Sequence, residues 1–471
     1  MTGQVTQRGA AIGVRAEAAS RTSVIDAVTD DIARWAAGRR LAPLALSGFS
    51  LGLAVIAAVW LTGITAHAQA IALVALVASS LTCRTARVYA GRTFRESGPR
   101  AGAAHVTSSP SVVTMASTPT TDWAQGACAL LAEFAVYAGI AAGVSANASA
   151  ATGLTGPAGT MLRDTALARI GGAGPDGVWR LAIAAAILLA VREMANLCLA
   201  AAQARTAMVA GQDAARRILV PAPSSGFRLV LLCLVVIIAG ARPAFLLALV
   251  IGGIALLLRF RVAGANSGII GYRGDGPLSV WIGGFVDGRL PPAIPLIVGL
   301  LVTGVLTVFG MGNLPGLLVF TPAEAMLLAA LGCWHRHDGQ RDWMVPALLH
   351  VGEYVFIAAL GFAGKVSPPV TFAVVTAVAM RHFDLAYRAR NQVSPGWFIR
   401  PGAALDRSPR LPGADWRALG WEGRMIIAAF AAVVGVLPYA YPVFAVYLWG
   451  LLAKETVTGW SAEHPAADST G

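Results

Sequence analysis

The chain has 471 residues, of which 56% are hydrophobic and only 13% charged, with a formal net charge of +12. A soluble globular protein carries about 25% charged residues, so this composition does not describe a water-soluble enzyme or a soluble nucleic-acid-binding module. The apolar residues fall in runs of roughly 20, the length that crosses a bilayer as a helix. They predict an all-α fold class, a polytopic membrane helical bundle.

Residues 1–42 read as a cytosolic tail with a short amphipathic helix near Val24–Ala37. The apolar runs then predict about eleven spans, at 43–63, 66–82, 125–145, 178–203, 229–241, 243–258, 293–311, 314–333, 343–363, 367–380 and 425–451. Arg242-Pro243 separates two short runs, which therefore read as a tight hairpin. Pro438 and Pro442 make the last run either one kinked helix or a second hairpin. Segments 97–121 and the tail beyond Trp460 are polar and read as disordered. The polar stretch 259–292 splits the spans into two groups: a six-span region over 43–258 and a C-terminal membrane domain over 259–453, followed by a polar tail at 454–471.

Arginine is concentrated in loops 83–124, 204–228, 259–292, 334–342 and 381–424, while the connections at 64–65, 312–313 and 364–366 are short and nearly uncharged. Positive charge stays on the cytosolic side, which places the N-terminus there in a multi-pass protein of a plasma membrane. The first forty residues are polar and hold no cleavable signal peptide, so the first span serves as the insertion signal. Lys365 and Lys454 are the only lysines among 36 basic residues. Basic loops beside a bilayer attract anionic lipid, so membrane lipids are the expected partners and nucleic acid is not. A homodimer is an admissible assembly. Cys83, Cys128, Cys198, Cys233 and Cys333 are isolated in or beside apolar runs and read as small hydrophobes rather than metal ligands.

In the N-terminal half, Ala86-Arg87 and the run Glu133-Phe134-Ala135-Val136-Tyr137-Ala138-Gly139 carry a likeness. The region resembles the CDP-alcohol phosphatidyltransferases, six-span enzymes with the pattern D-x2-D-G-x2-A-R followed by G-x3-D-x3-D. The resemblance implies four aspartates that hold divalent metal, the last of them taking a proton from the acceptor alcohol. In this chain Ser79 and Thr82 stand at the first two aspartates and Cys83 at the glycine, ahead of Ala86 and Arg87. Thr121 stands at the second glycine, and Gln125 and Ala129 at the last two aspartates. No acid occurs anywhere in 43–95. Without carboxylates the position cannot hold Mg²⁺, which wants hard oxygen ligands. The resemblance thus implies ancestry without transfer chemistry at that position. Farther along, Arg192-Glu193 and Asn196 fall mid-span, with Glu133 and Arg180 as candidate partners on other helices.

Between Gly332 and Arg390 lie four of the seven histidines and most of the unusual polar residues of the chain. Polar groups inside a membrane are expensive, which makes the cluster a candidate site. Arg381, His382, Arg388 and Arg390 are the candidate headgroup ligands. His337, Asp338, Asp342, Glu353 and Asp384 are the candidate catalytic residues, with Asp338, Asp342 and Asp384 as metal ligands if Mg²⁺ is used there. His335, His337 and His382 are proton carriers by residue type. Asp342 is equally placed to cap the helix opening at Trp343. His350 and Glu353, three apart, project from one helical face.

The pieces Tyr272-Arg273-Gly274-Asp275-Gly276-Pro277, Gly288-Arg289-Leu290-Pro291-Pro292, Gly312-Asn313-Leu314-Pro315-Gly316, the His337-Asp338-Gly339 run and Arg381-His382-Phe383-Asp384 resemble the domain of unknown function 5941, over about 270–435. That family often follows a CDP-alcohol phosphatidyltransferase region in high-GC bacteria, and it implies no activity. Three readings result. The first is a lipid-associated protein, inactive at the ancestral position, that binds a phosphorylated headgroup or assists a partner enzyme of phospholipid or glycolipid synthesis. The second is an active phosphotransferase using the C-terminal acids. The third is a lipid or small-molecule transporter.

Overall fold

The computed structural model describes residues 24–39, 41–97, 119–147, 152–162, 165–210, 224–262, 276–291, 293–312, 315–335, 342–391 and 419–463. Helix accounts for 87% and no strand occurs among them. The helices are α1 (Val24–Gly38), α2 (Pro43–Trp60), α3 (Ala66–Ser97), α4 (Pro119–Ala146), α5 (Gly156–Met161), α6 (Gly174–Ala210), α7 (Ser225–Ala239) and α8 (Ala241–Val262). They continue as α9 (Pro277–Val286), α10 (Ala293–Gly312), α11 (Thr321–Ala330), α12 (Val345–Ala363), α13 (Pro368–Asn391), α14 (Gly420–Val433) and α15 (Leu437–Glu463).

Six stretches are long and apolar enough to cross a membrane: Pro43–Trp60, Ala66–Ala90, Thr121–Ala146, Gly174–Ala200, Ala241–Phe260 and Val345–Ala363. Four more are apolar but shorter, namely Ser225–Ala239, Pro277–Val286, Ala293–Leu306 and Leu318–Ala330. The expected count of about eleven is therefore not confirmed among the described residues. The run 314–333 loses a span's length because a 3₁₀ turn over Pro315–Phe320 leads into α11. The run 425–451 is two helices, α14 and α15, parted at Val434–Val436.

α6 packs against α4, α8, α12 and α13, and α4 also packs against α13. One apolar core runs through both halves of the chain, from Leu130 and Val136 through Ala186 and Met194 to Ile357 and Val378. The edge of Phe134 meets Phe372, and Trp179 meets the same ring. α1 lies against α3 through Ala33, Ala36, Ala86 and Tyr89.

Small residues set the closest approaches. A Cβ at Gly139 would stand 2.3 Å from Ala58 O, and one at Gly143 would stand 2.4 Å from Leu61 O. This G-x3-G pair lets the backbones of α2 and α4 touch, the usual device of membrane helices, whose contacts gain little from the hydrophobic effect. The expected α7–α8 hairpin is present, broken at Gly240 with φ 99°. Arg242, just beyond it, is fully buried. Its guanidinium donates to Thr152 O and Ile170 O, and also to Gly172 O at 2.8 Å and Gly174 O at 2.9 Å. One side chain thereby ties four carbonyls of the 152–174 connection to the start of α8.

Candidate functional site

The buried ion pairs among the described residues gather in three places. The first joins α12, α13 and α14. Glu353 (0% exposed) receives Arg424 Nε on Oε1 at 2.5 Å and Nη2 on Oε2 at 3.0 Å. Arg424 Nη2 also lies 2.8 Å from His382 Nε2, and His382 Nδ1 lies 2.7 Å from Tyr354 Oη. His382 Nε2 also lies 3.2 Å from Glu353 Oε2, so this ring nitrogen faces both the guanidinium and the carboxylate. The His350 ring stacks on His382 with centroids 3.5 Å apart. The ligand atoms of His350, Glu353 and His382 lie within 4.8 Å of one another, a spacing that a metal could bridge. The charge those groups ask for is already supplied: Arg424 contacts both carboxylate oxygens and the His382 nitrogen. The set fits an internally neutralised ion pair better than a resident metal.

The second place joins α13 and α15. Arg381 contacts Glu455 and lies 3.8 Å from Asp384 Oδ2. Asp384 Oδ1 accepts from Arg388 Nε at 2.9 Å. Arg381 and Asp384 are buried, at 2% and 1% exposure, while Arg388 is partly open. The sequence-predicted ligands Arg381, His382, Arg388 and Asp384 of α13 and Glu353 of α12 thus form two neighbouring networks, and each carboxylate is served by an arginine. His335, at the end of the α11 turn, bonds the Arg289 carbonyl through Nδ1 at 2.9 Å. His337 and Asp338 lie outside the described residues, as do the side chains of Asp342 and Arg390. Asp342 opens the 3₁₀ turn that leads into α12.

The motif positions of the N-terminal half take ordinary packing roles. Ser50 Oγ donates to Ser79 O and Ser79 Oγ to Ser50 O, both at 2.8 Å, a reciprocal clasp between α2 and α3. Thr82 Oγ1 bonds its own helix at Ala78 O. Ala86 is buried against α1, and Arg87 is exposed with Nη2 3.4 Å from Cys83 Sγ. Gln125 and Ala129 are half-buried on α4. None of these residues offers a carboxylate, so the set does not fit a divalent ion.

The third place is a cleft between α4, α6, α7 and α8. Arg228, in the first turn of α7, contacts Glu133 of α4 and lies 3.6 Å from Glu193. Glu193 also receives Arg192 Nη2 at 2.8 Å and Asn196 Nδ2 at 3.0 Å. Arg192 therefore reaches its own neighbour, and the cross-helix partner of the two glutamates is Arg228. Arg180, the other partner expected from the sequence, bonds Gly171 O and lies over Phe362 instead. Arg259, near the end of α8, lies within electrostatic reach of Glu193, Arg192 and Arg228. The cleft runs from Glu133, Tyr137, Arg192 and Arg228 along Leu188, Leu231, Leu247 and Ile251, with a cavity volume of about 80 Å³. Arg192 is 4% exposed, and its Nε has no acceptor among the described residues.

Sequence reasoning missed Arg228, Arg424, Glu455 and Tyr354. Arg228, Arg424 and Glu455 sit where helices outrun their apolar cores, so hydropathy assigned them to loops or to the tail. Helical periodicity continued past the apolar run was the signal that could have found them.

This fold defines a class, an all-helical protein with apolar helices of membrane-spanning length. Residues 268–471 match a family described as Family of unknown function (DUF5941). No curated protein and no solved structure matches the chain.

Proposed function

We propose that this chain is an integral membrane protein that binds a phosphorylated lipid without transferring its headgroup. The cleft between α4, α6, α7 and α8 carries the reading. Its walls are mostly aliphatic, and its polar end sets Arg192 and Arg228 against Glu133, with Glu193 and Arg259 beside them outside the lining. One positive charge is in surplus, and the Arg192 Nε proton has no acceptor among the described residues. A phosphate oxygen supplies both the charge and the acceptor, and an arginine fork suits it. Acyl carbons would cover Leu188, Leu247 and Ile251. The arginines of the flanking loops favour the inner leaflet of a bacterial plasma membrane for this end.

The sequence likeness to CDP-alcohol phosphatidyltransferases supports a lipid over a soluble ligand. Ser79, Thr82, Gln125 and Ala129 in place of acids support binding without transfer. A protein of this kind would hold a lipid for a partner enzyme of phospholipid or glycolipid synthesis. The acids of the C-terminal half, Glu353 and Asp384, are held by Arg424 and Arg388, which supports ion pairing rather than metal or base chemistry there.

Native mass spectrometry of the full-length protein, equilibrated with mixed vesicles, tests the reading. Phosphatidic acid or phosphatidylglycerol should be retained over phosphatidylcholine, and Arg228→Gln should weaken retention about tenfold, near the loss of one charge-assisted hydrogen bond. Ala248→Trp, which fills the apolar wall, should do the same with the arginines intact. Equal retention of all three lipids, or CMP release from CDP-diacylglycerol with Mg²⁺, would overturn it.

A further inference from the structure

A single carboxylate lies in the apolar helix pair α10–α11, apart from the three ionic clusters. The helices pack on each other, and Glu324 is the sole ionisable residue in either. Ile297, Leu301 and Val305 of α10 and Leu327 of α11 are exposed, the faces that lipid chains would cover. Thr303, 2% exposed, donates Oγ1 to Glu324 Oε2 at 3.3 Å. Glu324 Oε1 is closed to solvent and accepts no hydrogen bond among the described residues. A Cβ at Gly299 would stand 3.6 Å from that oxygen and 3.2 Å from Leu328 Cδ1, so the glycine leaves a small gap between α10, the carboxylate and Leu328.

Among the described residues, the elements around α11 bring no free cation to this carboxylate. α9 and the 3₁₀ turn Pro315–Phe320 contain no ionisable group. On α14, Arg424 is committed to Glu353 and His382, and Glu422 accepts from Leu278 N and Ser279 N at the start of α9. On α12, His350 and Glu353 belong to the Arg424 network. Past the end of α11, His335 bonds Arg289 O, and Arg289 pairs with Asp287.

An ionised carboxylate with one hydroxyl for company is costly in apolar surroundings. Taking up one positive charge at the open oxygen removes that cost. A divalent ion would ask for more oxygens than the site holds. We propose that Glu324, Thr303 and the space left by Gly299 form an exchange site for one monovalent cation, either a proton or a sodium-sized ion, reached from the lipid-facing side of α10 and α11.

Carbodiimide chemistry reads the protonated state directly. The acid proton moves to one carbodiimide nitrogen while the carboxylate oxygen bonds the central carbon. An oxygen-to-nitrogen acyl shift then leaves a stable N-acylurea, and no group departs. The full-length protein in liposomes would be treated with dicyclohexylcarbodiimide across a pH series and its peptides sequenced by mass spectrometry. The expected result is an adduct on Glu324 that falls as pH rises, is absent from Glu324→Gln and has its pH midpoint moved in Thr303→Val. Sodium added at fixed pH separates the two ions within the proposed class: protection identifies sodium, and unchanged labelling identifies the proton. An unlabelled Glu324 while other acids react, or labelling that is flat across the pH series, overturns the site. The wild-type and Thr303→Val results decide the matter even if Glu324→Gln fails to fold.

Discussion

Arg424 of α14 and Glu353 of α12 meet fork to fork, Nε on Oε1 at 2.5 Å and Nη2 on Oε2 at 3.0 Å, with 1% and 0% of their side chains exposed. Two charges so deeply buried depend on each other, because desolvation of either one alone goes uncompensated. Tyr354 and His382 extend the pair into a network that ties α12, α13 and α14 together.

Removing one member of that pair should therefore cost more than removing both. Arg424→Leu or Glu353→Met alone leaves a buried charge and should destabilise by about 3–5 kcal/mol. The double variant Arg424→Leu/Glu353→Met should recover most of that loss. Thermal unfolding in detergent measures it, and simply additive losses would sink the interpretation.

Much of the frame was legible in the sequence, because apolar runs of bilayer length admit few structures besides helices. The α7–α8 hairpin followed from Arg242-Pro243, and the shared face of His350 and Glu353 followed from their spacing. The number of spans was not legible, since hydropathy alone does not separate one helix from a 3₁₀ turn plus a short helix, as at Pro315–Ala330. Nor were the partners of the buried charges. Glu353 finds Arg424 across 71 positions of sequence and Glu133 finds Arg228 across 95, pairings fixed by tertiary packing.

Arg242 should resist even conservative replacement. A lysine offers a point charge where the four carbonyls of Thr152, Ile170, Gly172 and Gly174 need a planar fork. Losing two such charge-assisted bonds should cost roughly 3 kcal/mol or more. Hydrogen exchange over 152–174 should accelerate in Arg242→Lys well before global unfolding, and unchanged protection there would show that the loop holds itself.

Placing an acid where the sequence resemblance sets a motif aspartate should not create a phosphatidyltransferase. Ser79→Asp places a carboxylate at a site 4% exposed, facing Ser50 rather than a cation or a second acid. Several kcal/mol of desolvation oppose it. The variant should unfold at lower temperature than the wild type and still release no CMP from CDP-diacylglycerol. Metal-dependent release by this single change would show that the remaining ligands are present after all.

Two glycines on neighbouring helices should respond to alanine with opposite signs. At Gly139 the added Cβ meets Ala58 O at 2.3 Å, and a carbonyl of a packed helix cannot move aside as a flexible side chain can. α2 and α4 must separate, which should cost about 1–3 kcal/mol, the usual range for overpacking. At Gly48 of α2 the Cβ meets nothing within 4 Å, so only backbone propensity acts. Gly48→Ala should therefore be neutral or stabilise by up to about 1 kcal/mol. Unfolding temperatures of the two variants in the same detergent decide the point. If Gly139→Ala is as harmless as Gly48→Ala, then α2 and α4 do not approach as closely as this packing requires.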